Sequence, residues 1–346
     1  MMKKALAAVV TLAVLICSVT SCGKSAEYDE DTFYAMDTYV TLRISSTGKN
    51  ADFDKLCDKC SDIVSDLESL MSAHDENSRL YDFNNGGADV SADEGELYSV
   101  ISTADKISRE TDGAYRCTIG ALSLLWNVTG GGPVPSPDSI DDALEHISCD
   151  ALEFSDSEIS LADDECTVDL GGIAKGYAAQ KLVEYLSESG VEYGLVSIGG
   201  NIGVFGEKPN GEDFRVGICD PNDTSKVACY LNINSGFISV SGSYERFFEE
   251  DGLIYHHILD PNTGYPSESE LLSVAVKCEN GAMSDALSTA LFVMGEKGTS
   301  ELYENSSFDF EAVLITKNGE IVLTDGIEDD DFELAAESYT VRRLAR

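Results

Sequence analysis

Residues 168–178 read VDLGGIAKGYA, and this stretch predicts how the rest of the chain is organised. Its pattern predicts an apolar strand at Thr167–Leu170, then a glycine-rich turn, then a helix that the turn opens. Glycine lets the backbone turn tightly, and a helix N-terminus presents unpaired N–H groups with a partial positive charge. The turn at 171–176 is therefore a candidate diphosphate site, and a purely structural turn is the alternative.

Two common phosphate-binding motifs are absent from this stretch. Lys175 is not followed by Ser or Thr, and the G-x-x-x-x-G-K-[ST] spacing of a P-loop is missing. The G-x-G-x-x-G fingerprint of dinucleotide-binding proteins is missing as well. Asp169 and Lys175 flank the turn with opposite charges, but other stretches must decide what the turn binds.

The first 22 residues have the pattern of an export signal. Two lysines precede an apolar run from Ala5 to Ile16, which is too short for a membrane-spanning helix with normal flanks. Residues 19–22, VTSC, resemble a bacterial lipobox, which implies cleavage before Cys22 and lipidation of that cysteine. An ordinary secretory signal cut nearby is the alternative. We expect a lipoprotein signal peptide at 1–21, a lipid-anchored polar tether at 22–32, and a location on the extracytoplasmic face of the cell membrane.

Composition narrows the class of protein further. The chain has 346 residues, enough for one large domain or two that share a core, and a net charge of −40. No basic footprint for nucleic acid exists, and an acidic surface does not favour anionic lipid, so the lipid anchor must hold the protein at the membrane. Cys57 and Cys60 lie inside a predicted helix rather than at its start, which favours structural thiols over a redox motif.

The hydrophobic pattern predicts an α+β fold with largely antiparallel sheets and flanking helices. Strands dominate from about residue 151, and one of them is predicted at Leu253–Leu259. Two helices interrupt the strands, at Tyr177–Ser189 and at Ala282–Met294. We expect a single domain at 33–330 and a C-terminal tail at 331–346.

A candidate metal site lies on the second of these helices. Asp285 and Thr289 are four residues apart, so they share one helix face. A carboxylate, a hydroxyl and nearby main-chain carbonyls are hard oxygen ligands that suit Mg²⁺. The alternative is that Asp285 lines the helix start while Thr289 bonds back into its own turn.

A candidate general base lies in residues 255–266, YHHILDPNTGYP, which read as a strand running into a Pro/Gly turn. A histidine with a pKa near neutrality can take a proton from a hydroxyl nucleophile. His256 and His257 point to opposite faces of a strand, and the sequence does not tell which one faces a site. A surface pair on an edge strand is the alternative.

Three motifs together resemble the FAD:protein FMN transferase family, the ApbE-type lipoproteins. They are DLGGIAKGYA at 169–178, HILDPNTGYP at 257–266 and SDALSTAL at 284–291, and they stand in family order behind the lipobox. The resemblance covers residues 33–325. It implies an ApbE-like (T-fold-like) architecture and an exported, Mg²⁺-dependent enzyme whose substrate is FAD.

The resemblance also implies a reaction. Such an enzyme releases AMP and places FMN on a threonine hydroxyl of an acceptor protein as a phosphoester. The alternatives are a Mg²⁺-dependent FAD pyrophosphatase that gives FMN and AMP, and a flavin-binding lipoprotein without chemistry. This chain has no clear D-x-x-[ST]-G-A-[ST] acceptor motif, so we expect the acceptor to be another exported protein that carries such a motif.

Roles for individual residues follow from the same resemblance. His257 is the implied catalytic base, and the implied metal ligands are Asp285 and Thr289 with main-chain carbonyls near Gly172 and Ala282. The implied FAD contacts are Met36, His74, Trp126, Asn127, Val128, Asp169, Lys175 and Ile258. Asp37 and Asn127 stand where the family usually has glycine, and His74 stands where many members have an aromatic ring.

Overall fold

A computed structural model describes residues 26–45, 53–155 and 157–345 of the chain. The signal peptide predicted at 1–21 and the lipidation site predicted at Cys22 lie outside these ranges. Within them, no helix combines the length and the apolar character needed to cross a membrane.

The described ranges contain strands and helices in an order that matches the predicted α+β class. The strands are β1 Tyr28–Ala35, β2 Thr38–Ser45, β3 Val90–Ser91, β4 Leu152–Phe154, β5 Glu158–Leu161, β6 Tyr193–Ile198, β7 Asn201–Gly206, β8 Phe214–Asp220, β9 Asp223–Ile233, β10 Gly236–Gly242, β11 Phe247–Glu250, β12 Leu253–His256, β13 Leu271–Cys278, β14 Glu311–Thr316, β15 Glu320–Leu323, β16 Phe332–Leu334 and β17 Thr340–Arg343. The α-helices are α1 Phe53–Met71, α2 Arg79–Asn84, α3 Glu96–Glu110, α4 Gly120–Trp126, α5 Pro137–Leu144, α6 Ala174–Glu188 and α7 Gly281–Asn305.

One large sheet organises the molecule. Its strand order is β1-β2-β6-β7-β10-β13-β14-β15-β17, and its neighbours pair antiparallel except β15 and β17, which are parallel. Smaller sheets have the orders β16-β9-β8, β3-β5-β4 and β11-β12. The prediction of largely antiparallel sheets with flanking helices is confirmed.

The large sheet is covered on both faces, because apolar residues occupy both alternate sets of positions along its strands. Val196 and Leu314 point to the face that α1, α3, α6 and α7 cover. Their chain neighbours Leu195 and Val313 point to the opposite face, against β8 and β9. The result is a layer of helices, a central sheet and a small outer sheet.

A third apolar cluster lies beside the central sheet and supports the candidate site. It joins α4 and α5 to the hairpin β11–β12 through Leu122, Trp126, Ile140 and Phe248. The Trp126 indole N–H donates to the carbonyl of Gly264, with a distance of 2.7 Å. This bond ties α4 to the Pro/Gly turn that follows the histidine pair.

The predicted domain limits are too narrow at both ends. Strand β1 begins at Tyr28, so the second half of the predicted tether at 22–32 is part of the central sheet. Strand β17 pairs with β15, so the predicted tail at 331–346 is not a tail. Both strands are edges of the central sheet, where one side needs no partner and polar residues are tolerated.

The strand predicted at Thr167–Leu170 is wrong. Thr167 makes an isolated bridge to Ile119, and the N–H of Asp169 donates to the carbonyl of Cys117 at 2.7 Å, but no strand forms. The backbone of Val168 is instead bonded by the side chain of Asn84, which accepts from its N–H at 2.9 Å and donates to its carbonyl at 2.8 Å. On the side of Val168, a side chain takes the place of a partner strand.

The strand predicted at Leu253–Leu259 ends earlier, at His256, and its partner β11 was not predicted. The signal for the hairpin is the pair Asp251-Gly252, whose φ angles of 52° and 79° fit a two-residue turn between β-strands. The predicted helix at Ala282–Met294 continues to Asn305 after a break at Gly295, where φ is 69°.

Candidate active site

The predicted site residues gather where α6 and α7 begin. Gly176 and Gly281 let the two helices approach closely, because a Cβ atom on Gly176 would overlap the carbonyl oxygen of Gly281. The approach brings Asp285 to the first turn of α6, where its Oδ2 accepts from the N–H of Gly176 at 2.9 Å. The glycine turn and the predicted metal helix therefore form one structure.

The predicted metal ligands lie close to one another. Asp285 is 5% exposed and Ala282 is 2% exposed, both within the first turns of α7. The Thr289 hydroxyl lies 3.2 Å from the Ser241 hydroxyl at the end of β10. A Cβ atom on Gly172 would be 3.7 Å from Thr289 Oγ1, so the glycine turn borders this hydroxyl. The alternative in which Thr289 only bonds back into its own turn is not favoured by this contact.

The residues around Asp285 fit a hard cation. In the described part of the chain, no group of three or more His, Cys, Asp or Glu side chains could hold a metal ion. A site here would depend on one carboxylate, one hydroxyl and main-chain carbonyls, the kind of sparse oxygen set that leaves Mg²⁺ several waters or phosphate oxygens. The buried Tyr115 hydroxyl, close to Asp285 and Asp169, has no hydrogen-bond partner among the described residues, so it is available to such a ligand.

Several N–H groups of the glycine turn are already bonded within the chain. The N–H of Gly171 donates to Asp169 Oδ1 at 2.8 Å, and that of Ala174 donates to the carbonyl of Leu170. The N–H of Gly176 is taken by Asp285. The chain's own oxygens occupy these donors, so the prediction that the turn binds a diphosphate stays a prediction that depends on the remaining N–H groups of the turn and on the Lys175 ammonium.

The turn also holds the side chains of Asp169 and Lys175 in place. Asp169 accepts from the Ser123 hydroxyl at 2.6 Å, which fixes the carboxylate between α4 and the turn. The Lys175 ammonium donates to the carbonyl of Gly171 at 2.9 Å and remains partly exposed. Its charge lowers the pKa of both Glu245 and His257, so the Lys175 ammonium lies near both side chains.

The two histidines have different surroundings. The ring of His256 is buried, donates from Nε2 to the carbonyl of Ser267 at 3.1 Å, and meets the Phe292 ring edge-on. The ring of His257 has its Nδ1 3.2 Å from the carbonyl of Arg246. Since a carbonyl only accepts, Nδ1 of His257 carries the hydrogen and Nε2 keeps a free lone pair. This arrangement favours His257 as the base.

The pKa of His257 is lowered to about 3, first by desolvation and then by the positive charges of Arg246 and Lys175. Part of the residue is still open to solvent. The ring is therefore uncharged at neutral pH.

Sequence reasoning missed Glu245 and Arg246, which follow β10 in the stretch SGSYER at 241–246. Desolvation raises the pKa of Glu245 to about 7, although Lys175 and Arg246 oppose that shift. The signal was a pair of opposite charges directly after a glycine turn. Arg246 adds a second cation to Lys175 beside His257.

Met36 lies in the turn between β1 and β2, near the same end of the sheet. Met36 and Asp37 have φ angles of 50° and 56°, a left-handed region that glycine adopts freely and that aspartate tolerates better than most residues. Thr38 borders Gly199, and Gly200 borders the Glu245 carboxylate. The turn that carries Met36 is thus connected to the Glu245 carboxylate through the turn at Gly199 and Gly200.

The segment at 126–128 lies in the third apolar cluster. Trp126 is 0% exposed and Val128 is 9% exposed, so their side chains pack inside the third apolar cluster beside the site. Asn127 is exposed and has a φ of 38°, a left-handed conformation that asparagine adopts more readily than most residues other than glycine. Only Asn127 presents its side chain outward.

Two other predicted FAD contacts are placed differently. Ile258 is 3% exposed in the main core, so its side chain packs against protein. His74 is exposed in the loop after α1, where its N–H donates to the Ser72 hydroxyl at 3.2 Å. Cys57 and Cys60 are buried on α1, and burial raises the pKa of each thiol to about 12, which confirms them as structural side chains.

Comparisons with known proteins agree on one family. A model of the ApbE family matches residues 36–314. The FAD:protein FMN transferase of Treponema pallidum is 32% identical over 341 residues, which cover 92% of this chain and 93% of the relative. The FAD:protein FMN transferase of Haemophilus influenzae is 28% identical and covers 92% of this chain and 95% of the relative.

Solved structures give the same result. The ApbE protein of Thermotoga maritima superposes with a TM-score of 0.77 at 32% identity, covering 85% of this chain and 96% of that chain. The flavin transferase ApbE of Vibrio cholerae superposes with a TM-score of 0.75 at 27% identity, covering 91% of this chain and 99% of that chain. The similarity therefore extends over the central sheet and the candidate site.

Proposed function

This chain belongs to the ApbE family, and on that premise we propose that it is an FAD:protein FMN transferase that modifies a threonine hydroxyl of an exported acceptor protein. The observation that carries the proposal is that an uncharged histidine, His257, lies near two cations in the neighbourhood of Asp285. The positive charges of Lys175 and Arg246 both lower the pKa of His257. The pKa of Glu245 is lowered by the charge of Lys175 and raised by the charge of Asp285. A carrier without chemistry does not need a base held in one tautomer.

The base takes the proton that the reaction must remove. Nε2 of His257 accepts the proton of the acceptor hydroxyl, and the hydroxyl oxygen forms a bond to the FMN phosphorus. The bond between that phosphorus and the bridging oxygen breaks, and the bridging oxygen leaves with AMP. The carbonyl of Arg246 holds the ring during this step through its contact with Nδ1.

Charge at the diphosphate is balanced by the chain's own cations. Lys175 and Arg246 lie on the side of His257, where negative charge develops on the phosphoryl oxygens. Asp285 and Thr289, with carbonyls of Gly172 and Ala282, would hold Mg²⁺, which when bound supplies further neutralisation of that charge.

The proposal includes the cellular location. The sequence of residues 19–22 supports lipidation of Cys22, with the enzyme held on the extracytoplasmic face of the membrane. The acceptor is then an exported protein with a motif of the D-x-x-[ST]-G-A-[ST] kind. Metabolic labelling with a radioactive fatty acid tests the anchor, and loss of the label in a Cys22→Ser variant is the expected result.

Intact mass spectrometry tests the activity. The full chain is incubated with FAD and Mg²⁺, with and without an exported protein domain that carries the acceptor motif. We expect the acceptor to gain the mass of one FMN as a phosphoester, and we expect a chelator to abolish the gain. Equal release of AMP and FMN with and without acceptor would instead identify an FAD pyrophosphatase. Intact FAD in every tube would identify a carrier.

The acid side of the pH–rate profile is a second test. The pKa of His257 is lowered to about 3, so its neutral form persists as the pH falls well below the usual histidine value of about 6.5. The carboxyl of Glu245, whose pKa is raised to about 7, also titrates in this range, so the profile is measured in a Glu245→Gln variant. We expect kcat/KM for transfer by that variant to stay within about twofold between pH 7 and pH 5, since kcat/KM reports groups of the free enzyme. Half-loss of kcat/KM near pH 6.5 would contradict the burial and charge environment assigned to His257.

A further inference from the structure

Three hydroxyl groups form a continuous chain of contacts beside the candidate metal site. The Thr289 hydroxyl lies 3.2 Å from the Ser241 hydroxyl, which lies 2.7 Å from the hydroxyl of Ser288. The Ser288 hydroxyl donates to the main-chain carbonyl of Asp285 at 2.8 Å. We call these three hydroxyl groups the hydroxyl chain. It begins at one implied metal ligand on α7, passes through β10 and ends on the main chain of the other.

The number of hydrogen atoms fixes the direction of each bond in the hydroxyl chain. A hydroxyl has one hydrogen to donate, and a main-chain carbonyl can only accept. The hydrogen of Ser288 is used on the carbonyl of Asp285, so the contact between Ser288 and Ser241 takes the hydrogen of Ser241. The contact between Ser241 and Thr289 then takes the hydrogen of Thr289.

Burial keeps the hydroxyl chain in this order. Ser288 is 0% exposed and Ser241 is 8% exposed, so solvent offers their hydroxyls little alternative. Among the residues that the structure describes, the two serine hydroxyls make no hydrogen bonds besides those of the hydroxyl chain. A buried hydroxyl that loses its partner costs free energy, so each member depends on the next one.

This order makes the oxygen of Thr289 an acceptor for any further partner. Its hydrogen is directed to Ser241, so its remaining lone pair is free. The glycine turn borders the same oxygen, because a Cβ atom on Gly172 would lie 3.7 Å from it. A cation requires an oxygen with a free lone pair, whereas a phosphate oxygen requires a donor. The Thr289 hydroxyl therefore fits a metal ligand better than a direct phosphate contact.

We infer that Ser241 and Ser288 are positioning residues that hold the hydrogen of Thr289 away from the cation, an inference that rests on the Mg²⁺ site of the proposed function. Residues that bond to a metal's direct ligands orient those ligands, and their loss typically lowers metal affinity or activity by about 10- to 100-fold. Asp285 supplies both a carboxylate and the carbonyl at which the hydroxyl chain ends. The hydroxyl chain thus fixes the two ligands relative to each other.

The test uses the full chain with Ser241→Ala and, separately, Ser288→Ala. Without the Ser241 hydroxyl, the hydrogen of Thr289 loses its acceptor. Without the Ser288 hydroxyl, the hydrogen of Ser241 turns to Thr289 and displaces the hydrogen of Thr289 toward the cation. The matched control is Ser284→Ala. Ser284 is also 0% exposed on α7 and donates to a carbonyl, that of Val276, at 2.7 Å, but it lies outside the hydroxyl chain.

Calorimetry in the presence of FAD, without acceptor, measures the Kd for Mg²⁺. We expect this Kd to rise by about 10- to 100-fold in each of the two serine variants. The control Ser284→Ala should lower the Tm and leave the Kd unchanged. Ser241→Thr keeps the hydroxyl and should restore the Kd. In a Thr289→Val background, Ser241→Ala should cause no further rise, because Ser241 acts through Thr289.

Four results would overturn the inference. They are an unchanged Kd for Mg²⁺ in both serine variants, an equal rise in Ser284→Ala, a further rise from Ser241→Ala in the Thr289→Val background, and no binding of Mg²⁺ to the unmodified chain. A different result overturns the proposed function alone. If the Kd values shift as expected but the unmodified chain transfers no FMN to the acceptor, the positioning role stands and the transferase does not.

Discussion

The variant Asp285→Asn should lose FMN transfer by about 10²- to 10³-fold, the scale seen when one preorganised charge-stabilising group is removed. Asparagine has the shape of aspartate and keeps an oxygen for the N–H of Gly176, so the contact between α6 and α7 remains. What it lacks is the negative charge that a hard cation requires. AMP release from FAD in the presence of Mg²⁺ and acceptor measures the loss, and calorimetry with Mg²⁺ and FAD measures metal binding separately.

The control for that experiment is Asp105→Asn. Asp105 is also a buried carboxylate, but it pairs with Arg109 at 2.9 Å on α3. The control should lower the free energy of unfolding and leave transfer by the folded protein intact. Full transfer by Asp285→Asn, or equal loss in both variants, would contradict the role given to Asp285.

The variant His257→Gln should lower kcat for transfer by about 10²- to 10⁴-fold, which is the contribution of a general base. The main-chain N–H of residue 257 still donates to the carbonyl of Arg246, so the hairpin should keep its position. FAD affinity, measured by flavin fluorescence, should change little because the ring acts on the acceptor hydroxyl. The expected signature is a fall in kcat without a rise in the Kd for FAD.

The neighbouring variant His256→Gln is the matched control. His256 is buried, with its Nε2 bonded to the carbonyl of Ser267 and its ring against Phe292. Its replacement should lower the Tm and leave kcat close to that of the unmodified chain. A larger kcat loss in His256→Gln than in His257→Gln would reverse the assignment of the base.

Local motifs made much of the molecule predictable. The i, i+4 spacing of Asp285 and Thr289 fixed their common face, because both lie on one continuous helical segment before Gly295. The short, nearly continuous apolar runs of β6 and β14 predicted strands, and both sets of positions are buried because the sheet is covered on two faces. These features depend on residues that are close in the sequence.

The features that were not predicted depend on contacts between distant residues. Val168 takes its backbone partner from Asn84, and no pattern in either stretch announces that pairing. Arg246 reaches the neighbourhood of Lys175 only because β10 and α6 lie on neighbouring parts of the fold. Strand β1 was mistaken for a tether because edge strands tolerate acidic residues, and its sequence YDEDTFYA carries three of them.

The early start of β1 limits how far the enzyme can move from the membrane. With the lipid proposed at Cys22, the central sheet begins only six positions later, at Tyr28. A fully extended chain spans about 3.3–3.6 Å per residue, so this connection reaches roughly 20 Å at most. Under the proposed lipidation, the start of β1 is held within this distance of Cys22, whereas the candidate site lies toward the far end of β1, beside the turn that carries Met36.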